Sequence, residues 1–322
     1  MLAARAALLA RLRAFFAARG VLEVETPVLA RTGSVTPALQ PFSARYHPPA
    51  GPPQRLFLHT SPEFAMKRLL AAGSGPIYQI CKVFRDGERG RWHHPEFTLL
   101  EWYRPGWSLP QLMDEVADVL RVALQQPALP VARITYRDLF HTYLGIDPWL
   151  DPPERLRAAA IEQGISGADW LTLDGDGWLD LLLVHCLEPQ LGRRALTFVY
   201  NYPPSQAALA RCVRETPISA TAAEHTRLVA ARFEVYSDGV ELANGFDELT
   251  DAAEQRARFV AEQHARARLG LDPVPFDEAL LHALAEGLPS AAGVAVGLDR
   301  VLMLATGATH IDETLAFPVE RA

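Results

Sequence analysis

The stretch Ile77-Tyr78-Gln79-Ile80-Cys81-Lys82-Val83-Phe84, answered after a polar loop by Glu96-Phe97-Thr98-Leu99-Leu100-Glu101-Trp102-Tyr103, decides the fold. Both runs are rich in β-branched and aromatic residues, and the loop 86–95 between them is crowded with charge and histidine. That pattern predicts an antiparallel hairpin with a long charged tip. A second hairpin is expected at 231–236 and 240–246, joined across Ser237-Asp238-Gly239, with further strands at 21–27, 55–59, 196–200 and 291–296. Helices are expected at 4–19, 62–72, 109–124, 251–268, 276–286 and 298–305, and residues 135–195 read as a mostly helical insertion. Residues 31–55 read as loop, broken by Pro37, Pro41, Pro48, Pro49, Pro52 and Pro53. Strands paired in hairpins and separated by helical stretches predict an α+β fold, an antiparallel sheet flanked by helices, with 1–322 as one domain.

Local signals support the helix starts. Ser61 is a good N-cap with Pro62 at the first helical position and Gly73 as a stop, and Asp251 with Glu254 three residues on forms a capping-box pattern. The first 22 residues lack acids and carry Arg5, Arg11, Arg13 and Arg19, as a transit peptide would. They also place Leu8, Leu9, Leu12, Phe15 and Phe16 on one helical stripe ended by Gly20, and they run directly into a strand without a processing site. The helix is the better reading.

Composition narrows the function classes. Hydrophobic residues make up 49% of the 322 and the formal net charge is -7, which argues against a broad phosphate-gripping surface. Cys81, Cys186 and Cys212 lie far apart and odd in number, with neither metal-site spacing nor a disulfide framework, so a reducing cytoplasm is expected. The longest apolar run, Leu181-Leu182-Leu183-Val184, is far short of a membrane span. No glycine loop of the P-loop or dinucleotide-binding kind is present, so a bound nucleotide would be held another way.

Three pieces carry chemistry. Arg85 ends the first strand beside Asp86, Glu88, Arg89, Arg91, His93 and His94, while Glu101 and Tyr103, two apart, share a face of the return strand. An arginine fixed at a strand end can fork two donors onto a phosphate or carboxylate, although a solvated charged tip has the same composition. The second piece is Glu241-Leu242-Ala243-Asn244-Gly245-Phe246-Asp247-Glu248. Plain alternation puts Glu241 and Glu248 on opposite faces, and they converge only if Asn244-Gly245 bends or bulges the strand. Converged, they would suit Mg²⁺ or a cationic amine; unconverged, they are surface acids on a hairpin edge. The third is the run from Gly293-Val294-Ala295-Val296 through Gly297-Leu298-Asp299-Arg300, which puts Arg300 in the first turn of a helix. A cation there opposes the helix dipole and suggests that the end serves an anion, unless Asp299 and Arg300 simply pair locally.

In order and content these pieces resemble motifs 1, 2 and 3 of the class II aminoacyl-tRNA synthetases: Pro27 closing motif 1, Phe84-Arg85 and the hairpin as motif 2, and Gly297-Leu298-Asp299-Arg300 as motif 3. Thr60-Ser61-Pro62-Glu63, His94-Pro95-Glu96-Phe97-Thr98 and Glu241…Asn244-Gly245…Glu248 resemble the lysyl catalytic domain. The resemblance implies activation of a lysine-like amino acid as its adenylate, with ATP and Mg²⁺, by a homodimer. It implies catalytic roles for Arg85 and Arg300, ATP contacts from Asp86, Glu88, His94, Glu241, Leu242 and Gly297 as well, and Glu241 and Glu248 as metal ligands. Ser61, Glu63, Tyr103, Asn244, Glu248 and Ala295 would bind the amino acid. Arg85, Arg300, Glu241 and Glu248 would gather around one triphosphate.

Lysyl-tRNA synthetases carry an anticodon-binding barrel before motif 1, whereas motif 1 here is expected to begin about twenty residues into the sequence. The layout is similar to that of truncated paralogues that attach (R)-β-lysine to a lysine of elongation factor P, as are Glu101-Trp102-Tyr103-Arg104-Pro105 and the segment Ala316–Ala322. Ala295, where tRNA-charging relatives have glycine, would reshape the amino-acid pocket. The implied partners are elongation factor P and lysine or (R)-β-lysine, without tRNA or membrane. A truncated synthetase still charging tRNA and a non-catalytic regulatory paralogue are the competing readings. Two positions depart from the family pattern: Gly87 replaces the glutamate of Phe-Arg-x-Glu, with Glu88 one residue late, and His94 replaces an asparagine. Both leave the ATP contacts of this loop open.

Overall fold

The computed structural model describes residues 1–215 and 227–322. The chain forms two compact units, one of Met1–Ser108, Asp118–Gln126 and Thr250–Ala322, the other of Leu109–Ala117 and Pro127–Leu249.

The first unit opens with α1 (Leu2–Ala17), β1 (Leu22–Glu23), β2 (Leu29–Ala30), β3 (Ser43–Tyr46) and β4 (Gln54–Leu58). It continues through α2 (Glu63–Ala71), β5 (Ile77–Phe84) and β6 (Glu96–Pro105). Helix α3 (Leu109–Leu124) begins in the second unit and ends in the first. The second unit then runs through β7 (Val131–Thr135), α4 (Tyr136–Leu144), α5 (Pro153–Glu162), α6 (Gly175–Leu182), β8 (Leu196–Tyr202), β9 (Cys212–Arg214), β10 (Leu228–Ser237) and β11 (Val240–Asp247). The chain returns to the first unit with α7 (Ala252–Arg268), α8 (Glu278–Gly287), β12 (Ala291–Gly297) and α9 (Leu298–Thr306).

In the first unit the strands run in the order β1-β5-β6-β12. Strands β5 and β6 form the expected hairpin, paired from Ile77↔Tyr103 to Phe84↔Glu96. Strand β12 is antiparallel on the other side of β6, from Ala291↔Pro105 to Gly297↔Leu99. Alternation sorts this sheet into two faces. On one, Tyr78 and Trp102 meet Phe16 of α1, stacked at 4.5 Å and edge-on at 5.3 Å. Burying an aromatic of this kind contributes roughly 1.5–3 kcal/mol, enough to hold α1 there. The opposite face carries Gln79, Glu101 and Tyr103. A small sheet, β2-β4-β3, occupies part of the stretch expected to be loop.

The helix starts follow their caps. The Asp251 side chain accepts from the N–H groups of Ala253 and Glu254 at 2.8 and 2.9 Å, and Asp277 caps α8 through Leu280 N–H at 3.0 Å. Helix α2 starts one residue later than expected, at Glu63 with Pro62 as its N-cap, and Ser61 Oγ accepts from Glu63 N–H at 3.1 Å from just outside it.

The second unit has the order β7-β8-β10-β11, with β9 also on β10. Its core joins Tyr136 and Phe140 of α4, Trp178 and Leu182 of α6, and Tyr202 and Tyr236 of the sheet. Gly192 is required before β8, because a Cβ there would lie 2.4 Å from the Ser237 Cα.

The α+β class is as expected, with two departures. Strand β1 pairs parallel with β5 and β7 parallel with β8, so the pairing is mostly rather than wholly antiparallel. Strand β7, ahead of the helical stretch, is additional to the strands expected from sequence. Among the described residues no helix is long and apolar enough to cross a membrane.

Candidate active site

In the first unit, register brings small residues against large polar ones. Ala295 of β12 lies opposite Glu101 of β6, Gly293 opposite Tyr103 and Gly297 opposite Leu99. Gln79 flanks Glu101 from β5. Cross-strand partners share a face, so Glu101 and Tyr103 stand over a low floor of glycine and alanine. The Tyr103 hydroxyl donates to Glu101 Oε1 at 2.7 Å, and both side chains are buried. Thr26 Oγ donates to Gln79 Oε1 at 3.0 Å, tying the segment after β1 to the same face. Burial, with the Glu101 charge second, pushes the Cys81 thiol up to about 12.

Arg85 follows β5, its guanidinium 4.9 Å over the Phe97 ring. Its Nε donates to Thr60 O at 3.4 Å and Nη1 reaches Glu88 Oε1 at 3.5 Å. Gly87 adopts φ +79°, a conformation that disfavours a glutamate there, and the turn lets the acid one residue later meet Arg85. Asp86 is exposed, its backbone N–H donating to Gln40 O at 2.7 Å.

Arg300 lies in the first turn of α9. Its Nε donates to Trp92 O at 3.2 Å and Nη2 lies 2.8 Å from His93 Nε2. Local pairing of Asp299 with Arg300 is not what forms: Asp299 is buried and accepts from Arg5, from Thr98 N–H at 2.6 Å and from the Thr314 hydroxyl at 3.4 Å. Burial lowers the His93 pKa, and the Arg300 and Arg85 charges lower it further against Glu88. Both arginines therefore act on one loop histidine.

At the start of α2, Glu63 meets the ammonium of buried Lys67 at 2.7 Å. His94 is also buried, and its ring is turned to backbone: Nδ1 lies 2.6 Å from Glu96 O, and Nε2 accepts from Val319 N–H at 3.0 Å. It lines a pocket of about 510 Å³ with Phe84, Phe317 and Val319, rather than extending with the loop tip. Arg89 straps the same loop to the C-terminal segment, bonding Asp312 at 2.8 and 3.0 Å and Glu320 at 2.8 Å.

In the second unit, the 241–248 stretch corrects two expectations. Asn244 and Gly245 keep regular register, opposite Glu234 and Phe233. The irregularity is instead at Leu242: Ala243 pairs with Val235 and Glu241 with Tyr236, leaving Leu242 as an extra residue. That bulge puts Glu241, Asn244 and Phe246 on one face, and continued alternation adds Glu248. Their shared face does not make them a metal pair. Six extended steps along the strand separate the two acids by roughly 20 Å, while Mg²⁺ holds its oxygens at about 2.1 Å. Among the described residues no group of three or more His, Cys, Asp or Glu could hold a metal ion. The residues present therefore do not fit a shared Mg²⁺ site at Glu241 and Glu248.

The face around Asn244 also contains residues the sequence reading passed over. Arg232 Nε donates to Asn244 Oδ1 at 3.2 Å, and Asn244 Nδ2 points to Glu234 Oε1 at 3.5 Å. On the first unit's sheet, Glu101 shares a face with Tyr103 and opens the run Glu101–Pro105 that carries the resemblance, but it is not among the site residues expected from sequence; its two-residue spacing from Tyr103 is the available signal. Nothing in the linear sequence pairs Arg232 with Asn244, because the bulge sets that register.

A sheet face carrying a buried acid–tyrosine pair, with a strand-end arginine and a helix-start arginine around one loop, fits an amino-acid-activating enzyme. Residues 1–321 match the class II tRNA synthetases (D, K and N), and the chain belongs to that family. It is 46% identical over 319 residues to the elongation factor P–(R)-beta-lysine ligase of Salmonella paratyphi B, a match covering 99% of this chain and 94% of the relative. The proteins of that name from Salmonella dublin and Salmonella heidelberg are 47% identical over 320 residues, with the same shares covered.

Proposed function

We propose that this chain, acting as one catalytic domain, is an ATP-dependent ligase that activates (R)-β-lysine, or lysine, as its adenylate and transfers it to a lysine side chain of elongation factor P. The observation that carries the reading is the pair of arginines, Arg85 and Arg300, set around the loop of His93 beside the Glu101–Tyr103 face. The names borne by its relatives support the acceptor.

In the first step a carboxylate oxygen of the amino acid attacks the α-phosphorus of ATP. The bond to the bridging oxygen breaks and pyrophosphate leaves. Arg85 neutralises charge growing on the α-phosphate and Arg300 holds the terminal phosphates, so Glu88 and His93 must yield these arginines to the nucleotide. In the second step a neutral lysine amine of the acceptor attacks the acyl carbon. The bond to AMP breaks, AMP leaves and the amine loses a proton. This chemistry needs position and fixed charge more than a dedicated base.

Glu101, Tyr103, Ser61 and Glu63 bind the amino acid in this reading, Ala295 and Gly297 shape the floor beneath it, and Asn244 and Glu248 are further ligands. Asp86, Glu241 and Leu242 contact ATP. His94 acts through the loop it anchors. The protein works as a cytoplasmic homodimer.

Purified protein given ATP, each lysine isomer and either elongation factor P or tRNA tests the proposal. Elongation factor P should gain one lysyl unit with release of AMP. Charging of tRNA, or no pyrophosphate exchange with either isomer, overturns it.

A further inference from the structure

We propose that Arg89 is a positioning residue for ATP: it ties the loop 86–94 to Asp312 and Glu320, so that less of the loop is left to be ordered when the nucleotide arrives. The inference rests on the reading of Arg85 and Arg300 as phosphate ligands.

The argument begins with the two positions of this loop that depart from the family pattern. Gly87 brings no side chain, and both ring nitrogens of His94 are engaged with backbone, at Glu96 O and Val319 N–H. What the loop contributes instead is its shape. Gly90 and His93 exchange backbone bonds at 3.1 and 3.3 Å, which closes the tip into a tight turn. From that turn Trp92 O and His93 meet Arg300, and Glu88 meets Arg85. A contact that fixes the loop therefore fixes the surroundings of both arginines.

The fixing comes from the segment after α9. Arg89 Nη1 and Nη2 fork onto the two oxygens of Asp312 at 3.0 and 2.8 Å, and Nε donates to Glu320 Oε1 at 2.8 Å. Asp312 is itself held in a short helical turn whose start is closed by His310 and Glu313 in a capping box. Arg91 adds two bonds to the same segment, Nε to Thr309 O and Ile311 N–H to Arg91 O, both at 2.9 Å. Exposed ion pairs contribute little to stability, and these three side chains are partly exposed. Their effect is on the loop, because a bidentate fork fixes direction as well as distance. A segment ordered in advance also binds more tightly than one ordered by its ligand. An arginine committed to two carboxylates is a poor donor to a third anion. Arg85 holds its partners only at 3.4 and 3.5 Å, and Arg300 meets a carbonyl and a histidine.

The test compares wild type with R89M and with the double variant D312N/E320Q, which keeps Arg89 and neutralises its acids. The readouts are KM values in ATP–pyrophosphate exchange, calorimetric binding of ATP, amide hydrogen exchange over residues 86–94, and thermal unfolding. Both variants should raise the ATP KM and Kd about 10-fold, the effect of leaving one more residue to be ordered on binding. Rate at saturating ATP and the amino-acid KM should stay within about twofold. Loop amides should exchange about tenfold faster without ATP, with little change in the unfolding midpoint. The variants alter local charge in opposite directions, so a loss common to both is not a field effect on the nucleotide.

Normal ATP binding by D312N/E320Q with weak binding by R89M would make Arg89 a nucleotide ligand and overturn the proposal. So would loop exchange unchanged in both variants, or ATP affinity within about threefold of wild type in both. Wild type that binds ATP without exchanging pyrophosphate refutes adenylation, while the binding and amide measurements still decide this inference. Wild type that binds no ATP refutes both.

Discussion

Arg300 Nη2 and His93 Nε2 are 2.8 Å apart. A guanidinium only donates, so Nε2 is the acceptor and the neutral His93 ring carries its proton on Nδ1. The histidine thus serves as a stand-in base for an arginine whose proposed partner is a phosphate. Arg85, with Glu88 at 3.5 Å, is engaged in a similar way. The loop supplies both contacts, and in the proposed reaction it would release both to the nucleotide.

His93 should therefore titrate below the ordinary histidine range, with burial the larger cause and Arg300 the next. A depressed pKa stabilises the folded state above the ordinary value, and that stability is lost as pH falls toward the folded pKa. Replacing Arg300 with Met should move the His93 titration part of the way back up, read from ring resonances by NMR. An unmoved titration would remove Arg300 as a cause.

Arg85→Ala should abolish ATP–pyrophosphate exchange while leaving the fold intact, since Arg85 is a half-buried strand-end residue with long, weak partners. Charge stabilisation of this kind is typically worth about 10²–10³ in rate or more. Near-normal exchange would take Arg85 out of the mechanism.

Asp299→Asn should cost about 3–5 kcal/mol of stability, because it strands Arg5 against a neutral amide at a buried site. Urea unfolding reads this directly. A loss below about 1 kcal/mol would mean that the Arg5 contact is no better than a surface pair.

Cys81, with its thiol pushed to about 12, should resist thiol reagents at pH 8. Modification should run more than about a hundredfold slower than for an unperturbed cysteine, whose pKa is near 8.5. Glu101→Gln should speed it modestly, since burial is the larger cause. Rapid labelling of the native protein would contradict the burial of this face.

The hairpin of β5 and β6 was legible because alternating, β-rich runs of matched length leave few alternatives, and α3 was legible because one amphipathic stripe runs its full length. Strand β3 was not, because it lies among the prolines of the 31–55 stretch, where turn signals outweigh a short pairing segment. Strand β1 shrank to Leu22–Glu23, which register on Ile77 and Tyr78 of β5, and Val24 adds one backbone bond to Tyr78 O at 2.8 Å before the run leaves the sheet. The Glu101–Tyr103 face could be read from spacing, and Arg85 and Arg300 from their places at element ends. The surroundings of His94 could not, since they depend on Val319, which is remote in sequence. The 241–248 stretch could not either: whether its acids agree depends on where one extra residue sits, and a strand of small and polar residues does not announce that.

The surplus residue at Leu242 makes this hairpin more sensitive to length than to side-chain chemistry. Deleting it would spin Val240 and Glu241 half a turn about the strand axis while Ala243 and everything after stayed put. A graft of 241–248 into another protein keeps its acids aligned only if the receiving strand tolerates two residues against one. Segment swaps among relatives should accordingly move both strands together.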